Sequence, residues 1–323
     1  MLKRIEHLLR STDHLLSIVP TLQFASPDHI VIITLDVKSL YTSIPLKKGL
    51  SDTLKWLFKS SPQKYPPIIR EFISGSLELI LFNNLFEFGE KAFRQVKGVA
   101  MGSPIGPSFA NTYLLNVDNV ISHTPGILKY FRYIDDVLIF ADSSLLKPSF
   151  FADINAIDRN IQFDQPVTGK SVDYLDLSLT ISPSGRVEYC TYEKNIASFT
   201  RYIHYNSFHS LPLKSGIIIG QAKRILKTCS SLFSSTNLIN TVLFKRLREQ
   251  DFPSKIIKKA VFNALNPNPI KSRKSKTKFQ ILKHCPHKRF YIRDLKRNGN
   301  LLHKIVLTNY SNIRKKLVFT KFR

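Results

Sequence analysis

Ile30-Val31-Ile32-Ile33-Thr34-Leu35 is a nearly continuous β-branched run that ends on a carboxylate, Asp36. A stretch that is apolar at every position, rather than at every second one, is what a strand buried on both faces requires. The surrounding chain must then supply a sheet and the layers that cover it. A carboxylate closing such a strand is costly unless it is paired or bound to a cation. Taken alone, Asp36 could equally be the plain end of a strand and the cap of the next element.

A second pattern, about 100 residues further on, narrows the choice. Leu128 to Tyr133 and Val137 to Phe140 read as two short apolar strands joined at Asp135-Asp136. Asp is common in tight turns, so the pair by itself could be a polar hairpin. But the flanks read as buried, two like charges repel there, and a divalent cation resolves the repulsion. A strand ending in Asp together with a hairpin carrying Asp-Asp meets the needs of a two-metal site. There two Mg²⁺ ions ~3.5–4 Å apart clamp the attacking and leaving oxygens. Mg²⁺ takes hard oxygen ligands, few of them from protein, with phosphates completing the shell. Attack of a 3′-hydroxyl on a triphosphate then depends mainly on positioning and charge neutralisation.

The elements around these residues read as follows. Residues 1–19 have helical spacing of Ile5, Leu8, Leu9, Leu15 and Leu16, and Ser26-Pro27-Asp28 breaks the pattern. Helices are expected over 46–58 and from Pro66-Pro67 to about Phe82, a hairpin over 84–96, and a helix from near Pro107 to Val120. Another helix is expected over 148–160, then strands at 172–181 and 186–192, and helices at 212–228, 236–249 and 253–265. The order is that of a split β-α-β layout with an antiparallel sheet, an α+β architecture followed by a helical unit.

Charge names the partner. The 323 residues include 48 Lys and Arg against 23 Asp and Glu, a net +25. From Lys271 to Arg323 there are 17 basic residues and one acidic residue, Asp294. A body this basic favours a polyanion; a solvated face is the bland reading of the tail. Cys190, Cys229 and Cys285 are far apart in sequence and form neither a disulfide framework nor a zinc pattern. His284-Cys285-Pro286-His287 lacks a second pair at zinc spacing. No secretory signal is evident, and no run approaches the ~18–20 apolar residues that span a bilayer. The expectation is no membrane and an intracellular, reducing location, the nucleus ahead of the cytoplasm.

Several stretches carry a resemblance. Asp36-Val37-Lys38-Ser39-Leu40-Tyr41 resembles motif A of reverse transcriptases, and Tyr133-Ile134-Asp135-Asp136 resembles motif C. The stretch Gln95 to Asn111, with Met101-Gly102-Ser103-Pro104, resembles motif B of the Penelope-like group. Tyr174-Leu175-Asp176-Leu177, Thr191-Tyr192-Glu193-Lys194, Tyr202 to His209 and Gln221-Ala222-Lys223-Arg224-Ile225 are similar to that group too. The ordered set, from about residue 10 to about residue 265, is specific; motif C alone is not.

The resemblance implies an RNA-directed DNA polymerase using two Mg²⁺ ions, with Mn²⁺ as a substitute, an RNA template, a DNA primer and deoxynucleoside triphosphates. It implies that Asp36 and Asp135 bind both metals, that the Val37 carbonyl binds one, and that Asp136 supports the site as a further metal ligand. Tyr41 stands where an aromatic gate excludes a 2′-hydroxyl. Met101 and Gly102 would face the incoming nucleotide; Met101 departs from the glutamine common in the wider family. Pro107 would begin the helix under the template, and Leu175 and Asp176 fall in the primer grip. Lys170 is the candidate for a lysine that protonates pyrophosphate. Lys214, Lys223, Arg224 and Lys227 on the helix 212–228 could track a nucleic-acid backbone.

The expected organisation is a short helix over 1–27, a palm over 28–210, a helical thumb over 211–268 and a basic segment over 269–323. With 35 residues before Asp36 no fingers region is visible, and no Gly-Ile-Tyr or Tyr-Ile-Gly pair of a terminal nuclease occurs in 271–323. The chain is therefore expected to be a truncated piece that polymerises poorly or not at all. The alternatives are a catalytically inactive, basic nucleic-acid-binding remnant, and an RNA-dependent RNA polymerase. Oligomeric state is not legible.

Overall fold

The computed structural model describes residues 5–60, 63, 65–193 and 202–266. The basic segment 271–323 and the His284–His287 cluster lie outside the described residues. The chain divides into two compact units, Met1–Lys194 with Ile225–Thr236, and Asn195–Arg224 with Asn237–Arg323.

In the first unit the order is α1 (Thr12–Ile18), β1 (Ile30–Asp36), α2 (Leu40–Ser43), α3 (Leu46–Ser60), α4 (Pro67–Phe82), β2 (Leu85–Phe88), β3 (Lys91–Arg94), α5 (Gly106–Tyr113) and α6 (Leu115–Ser122). There follow β4 (Ile127–Tyr133), β5 (Asp136–Asp142), α7 (Phe150–Ala156), β6 (Val167–Gly169), β7 (Ser171–Tyr174), β8 (Leu177–Ile181) and β9 (Val187–Thr191). The main sheet has the order β4-β5-β1-β6, with every pairing antiparallel. A second sheet runs β7-β8-β9, and β2-β3 stands as a separate hairpin.

The unbroken apolar run of β1 has a direct cause. Ile33, Leu35 and Val37 belong to a core shared with Phe109 and Tyr113 of α5 and with Phe150 and Ile154 of α7. Ile30 and Ile32 belong to a second core with Phe24, Leu138 and Phe140 and with Val172, Leu177 and Leu179 of the three-stranded sheet. Alternate side chains of one strand therefore serve two cores, so the run up to Leu35 is apolar apart from Thr34.

Four expectations are corrected. The first helix is confined to Thr12–Ile18, where the Ser11 Oγ accepts from the His14 N–H and Asp13 sits in the first turn. Residues 5–8 form a turn, and Leu8 makes an isolated bridge to β4: the Arg132 N–H donates to the His7 carbonyl at 2.9 Å and the Leu9 N–H to the Arg132 carbonyl at 2.8 Å. The strand edge offers these residues partners that outweigh their helical spacing. The stretch 172–181 is two strands, β7 and β8, turning at Leu175-Asp176. The helix expected from Pro107 to Val120 is two, α5 and α6, parted at Leu114. Strand β6, whose Gly169 pairs with Ile32, was not foreseen; three residues are too few for a periodic signal.

Among the described residues Cys190 and Cys229, 39 apart in sequence, bring their sulfurs to 2.9 Å. Burial first, then the neighbouring thiol, pushes the Cys190 thiol up to about 12.

The helical region runs through α8 (Leu211–Lys227), α9 (Leu232–Leu238), a π turn (Ile239–Leu243), α10 (Phe244–Glu249) and α11 (Ser254–Leu265). The turn between α10 and α11 is built around Phe252, which is fully buried, edge-on to Tyr205 with ring centroids 5.4 Å apart. Its carbonyl accepts from Arg248 Nη1 at 2.9 Å. No described helix is long and apolar enough to cross a membrane.

Candidate active site

The backbone brings Asp36, Asp135 and Asp136 to the same end of the main sheet. In the β1–β5 ladder Asp36 is the direct partner of Asp136, and facing residues of an antiparallel pair lie about 4.5–5.5 Å apart at Cα. Asp135 is the second residue of the two-residue turn between Tyr133 and Asp136. Its carbonyl accepts from the Val37 N–H at 3.2 Å, which ties the turn to the residue after Asp36. Ile134, the first turn residue, has φ of 57° while Asp135 does not, the pattern of a II′-type hairpin. Glycine usually fills that position; a β-branched residue there is strained.

Asp36 is exposed at the strand end, so the full cost of burying its charge does not apply. Even so, the protein behind it withdraws water from one side. That partial burial, then the charges of Asp135 and Asp164, raises its carboxyl above the ordinary 3.8, against a lowering by the Val37 N–H. Burial and the Asp135 charge also raise Tyr41. Asp135 is thus within electrostatic reach of both Asp36 and Tyr41.

Among the described residues no three His, Cys, Asp or Glu side chains stand as a ready-made metal cluster. What is present is a pair of carboxylates that already repel, beside the Val37 backbone. That donor set suits Mg²⁺, which takes one or two carboxylates and leaves its remaining positions to water and phosphate.

Gly98, with φ of 74°, presses on the start of α2: a Cβ there would lie 2.5 Å from the Thr42 Cα and 2.7 Å from the Tyr41 carbonyl oxygen. The next N–H, of Val99, donates to that same carbonyl at 2.7 Å. The glycine-rich stretch thereby fixes the segment bearing Tyr41. Gly98→Ala is expected to destabilise the fold by at least ~1–2 kcal/mol, the penalty of a left-handed side chain alone, read by denaturant unfolding; an unchanged midpoint would contradict this packing.

Met101 is 73% exposed, and a Cβ on Gly102 would touch nothing. Both stand open to solvent. Pro107 is the second residue of α5 and exposed. Leu175, with φ of 54°, and Asp176 form a turn of the same two-residue pattern as Ile134-Asp135. The Asp176 carboxylate accepts from Thr12 Oγ1 at 3.2 Å. The neighbouring Tyr174 donates its hydroxyl to the Asp136 carbonyl at 3.0 Å, tying this turn to the first.

Two assignments fail on geometry. Lys170 donates to the carbonyls of Pro27, Asp28 and Ile30. These lie at the opposite end of β1 from Asp36, about 20 Å away at ~3.3 Å per residue, so Lys170 does not serve the site. Lys214 is 5% exposed, donates to the Ser207 carbonyl at 2.7 Å and lies over the Tyr205 ring; it is structural and cannot track a backbone. Lys223 is exposed and Arg224 half-buried, while Lys227 pairs with Asp13 at 2.7 Å. Sequence reasoning missed Tyr174 and the buried Arg132–Asp118 pair. The one available signal was an arginine within the strand that leads into Asp135-Asp136.

This α+β arrangement is that of the right-hand nucleic-acid polymerases. It matches a telomerase from Candida albicans, solved with a TWJ fragment of telomeric RNA, at 9% identity over 80% of this chain and 48% of that one, with a TM-score of 0.50. The Sicinivirus 3Dpol RNA-dependent RNA polymerase matches at 14% identity over 75% of this chain and 53% of that one, with a TM-score of 0.45. The chain spans about half the length of these solved relatives. No curated protein matches it.

Residues 2–148 match the family described as reverse transcriptase (RNA-dependent DNA polymerase). That stretch, a little under half of the chain, is therefore similar to a reverse transcriptase domain. Residues 201–261 match the animal helix-turn-helix domain, which the sequence reading did not anticipate.

Proposed function

We propose that the chain is the RNA-directed DNA polymerase domain of a Penelope-like retrotransposon, acting by two-metal nucleotidyl transfer. The observation that carries the reading is the backbone placement of Asp36, Asp135 and Asp136 at one sheet end. The Penelope-like assignment rests on the ordered motifs around them, from Asp36-Val37-Lys38-Ser39-Leu40-Tyr41 to Gln221-Ala222-Lys223-Arg224-Ile225. The domain proposed as palm is 28–210 and as thumb 211–268.

In this reading Asp36, Asp135 and the Val37 carbonyl hold two Mg²⁺ ions, for which Mn²⁺ can substitute. Held there, such ions would supply charge neutralisation for the triphosphate and the attacking 3′-oxygen. Asp136 completes the pairing that sets the distance between strands. Tyr41 lies under the sugar of a deoxynucleoside triphosphate and excludes a 2′-hydroxyl. Met101 and Gly102 leave the nucleotide side open, Pro107 starts the helix beneath the RNA template, and Leu175 and Asp176 support the DNA primer end. The net charge of +25 suits a template–primer partner, to which Lys223 and Arg224 contribute. An element copied into chromosomal DNA would be used in the nucleus.

The test is extension of an oligo(dT) primer on poly(rA) with Mg²⁺. Slow extension is expected, and no product at any enzyme or metal concentration would favour a basic nucleic-acid-binding remnant. Tyr41→Ala is expected to raise ribonucleotide incorporation relative to deoxynucleotide by about tenfold or more, the scale of one lost steric contact of ~1.4 kcal/mol. Unchanged discrimination would remove Tyr41 from this role and leave an RNA polymerase in contention.

A further inference from the structure

The turn that carries Asp135 is held at three consecutive carbonyls by three different elements. The Asp136 carbonyl accepts from Tyr174 of β7 and the Asp135 carbonyl from the Val37 N–H after β1. The Ile134 carbonyl accepts from Arg132 Nη1 at 2.7 Å. Only the last of these reaches into the helical layer.

Arg132 is 1% exposed and spends its donors in three directions. Nε and Nη2 grip the two oxygens of Asp118 on α6 at 2.7 and 2.6 Å. Nη1 also donates to Asn111 Oδ1 on α5 at 2.7 Å, and Nη2 to the Asn111 carbonyl at 3.3 Å. Asp118, equally buried, is completed by the Tyr130 hydroxyl at 2.7 Å and His7 Nε2 at 2.9 Å. The guanidinium is thus anchored on one side and presents a fixed donor on the other. That donor meets the carbonyl of Ile134, the residue whose left-handed backbone is least able to hold itself.

We infer that Arg132 is a positioning residue: braced by Asp118 and Asn111, it fixes the Ile134 carbonyl and so aims Asp135. The inference rests on the polymerase reading for its purpose, though not for its geometry. The planar fork is essential, because a lysine offers a single point charge and cannot reach Asp118, Asn111 and Ile134 together.

Two readouts on the full chain test it. The first is hydrogen exchange at the Val37 amide, whose acceptor is the Asp135 carbonyl, compared with amides in the middle of β1. In Arg132→Lys the Val37 amide is expected to exchange about tenfold faster or more, with mid-strand amides unchanged, because local opening precedes global unfolding. The second is Mn²⁺ affinity by electron paramagnetic resonance, expected to weaken about 10–100-fold, as for other supports of metal ligands. Should Arg132→Lys fail to fold, Arg132→Met combined with Asp118→Leu removes both buried charges and leaves the Ile134 carbonyl unheld.

Val37 exchange unchanged in a folded variant overturns the inference. Faster Val37 exchange in a protein whose wild type binds no Mn²⁺ supports Arg132 as the brace of the turn and overturns the polymerase reading instead.

Discussion

Asp135→Asn is expected to lower primer extension by about 10²–10³-fold or more, the range for deleting one preorganised charge from a site where charge develops. The substitution is nearly isosteric, so its effect should be confined to charge. The backbone hold on residue 135 passes through its carbonyl, which accepts from the Val37 N–H, and asparagine keeps that bond. Thermal unfolding should therefore stay close to that of the parent while nucleotide incorporation collapses. Asp36→Asn should behave alike, since Asp36 faces the same hairpin across the ladder. The two losses should not add, because the carboxylates act as one unit. Extension within tenfold of the parent in either variant would remove that residue from the reacting centre.

Asp118→Ala is expected to cost about 3–5 kcal/mol of folding stability, because it leaves the Arg132 guanidinium buried without its counter-ion. Against a typical total of ~5–15 kcal/mol this approaches outright unfolding at 37 °C. The pair lies 1% exposed on both sides at 2.6 Å, so solvent gives little relief. Arg132→Met with Asp118→Leu should recover most of the loss, since a matched apolar pair removes both desolvation costs. Denaturant unfolding of the two proteins reads this directly, and a loss under about 1 kcal/mol for Asp118→Ala would show the pair to be dispensable.

The pair also has a pH signature. Burial alone would raise the Asp118 carboxyl, but the Arg132 charge and bonds, with His7, outweigh it and leave the carboxyl below its ordinary 3.8. A depressed value means that the folded state holds the proton less tightly than the unfolded chain. The stabilisation is therefore complete above pH 3.8 and is lost as the pH falls through the lower, folded value.

The central strand and the catalytic hairpin were legible because their signals are local. A strand serving two cores leaves an unbroken apolar run, and a tight turn between two such runs leaves its polar residues conspicuous. Residues 5–10 were misread because Ile5, Leu8 and Leu9 have helical spacing, while the bonds that settle their conformation come from β4, more than 120 residues away. Lys170 and Lys214 were misassigned for one reason: a lysine in a sequence looks solvated, and only the fold reveals carbonyls that have captured it. Arg132 lay in plain view beside Tyr133-Ile134-Asp135-Asp136. Its role depends on Asn111 and Asp118, which a helix repeat brings to one side but which no sequence pattern links to the strand.

The shared metal pocket is tested most directly by titrating the full chain with Mn²⁺ and following free ion by electron paramagnetic resonance. The account predicts saturable binding in the parent and its loss when Asp36 and Asp135 are both changed to asparagine, with the fold intact by hydrogen exchange. Equal Mn²⁺ uptake by the parent and the double variant would mean that these carboxylates do not form the site.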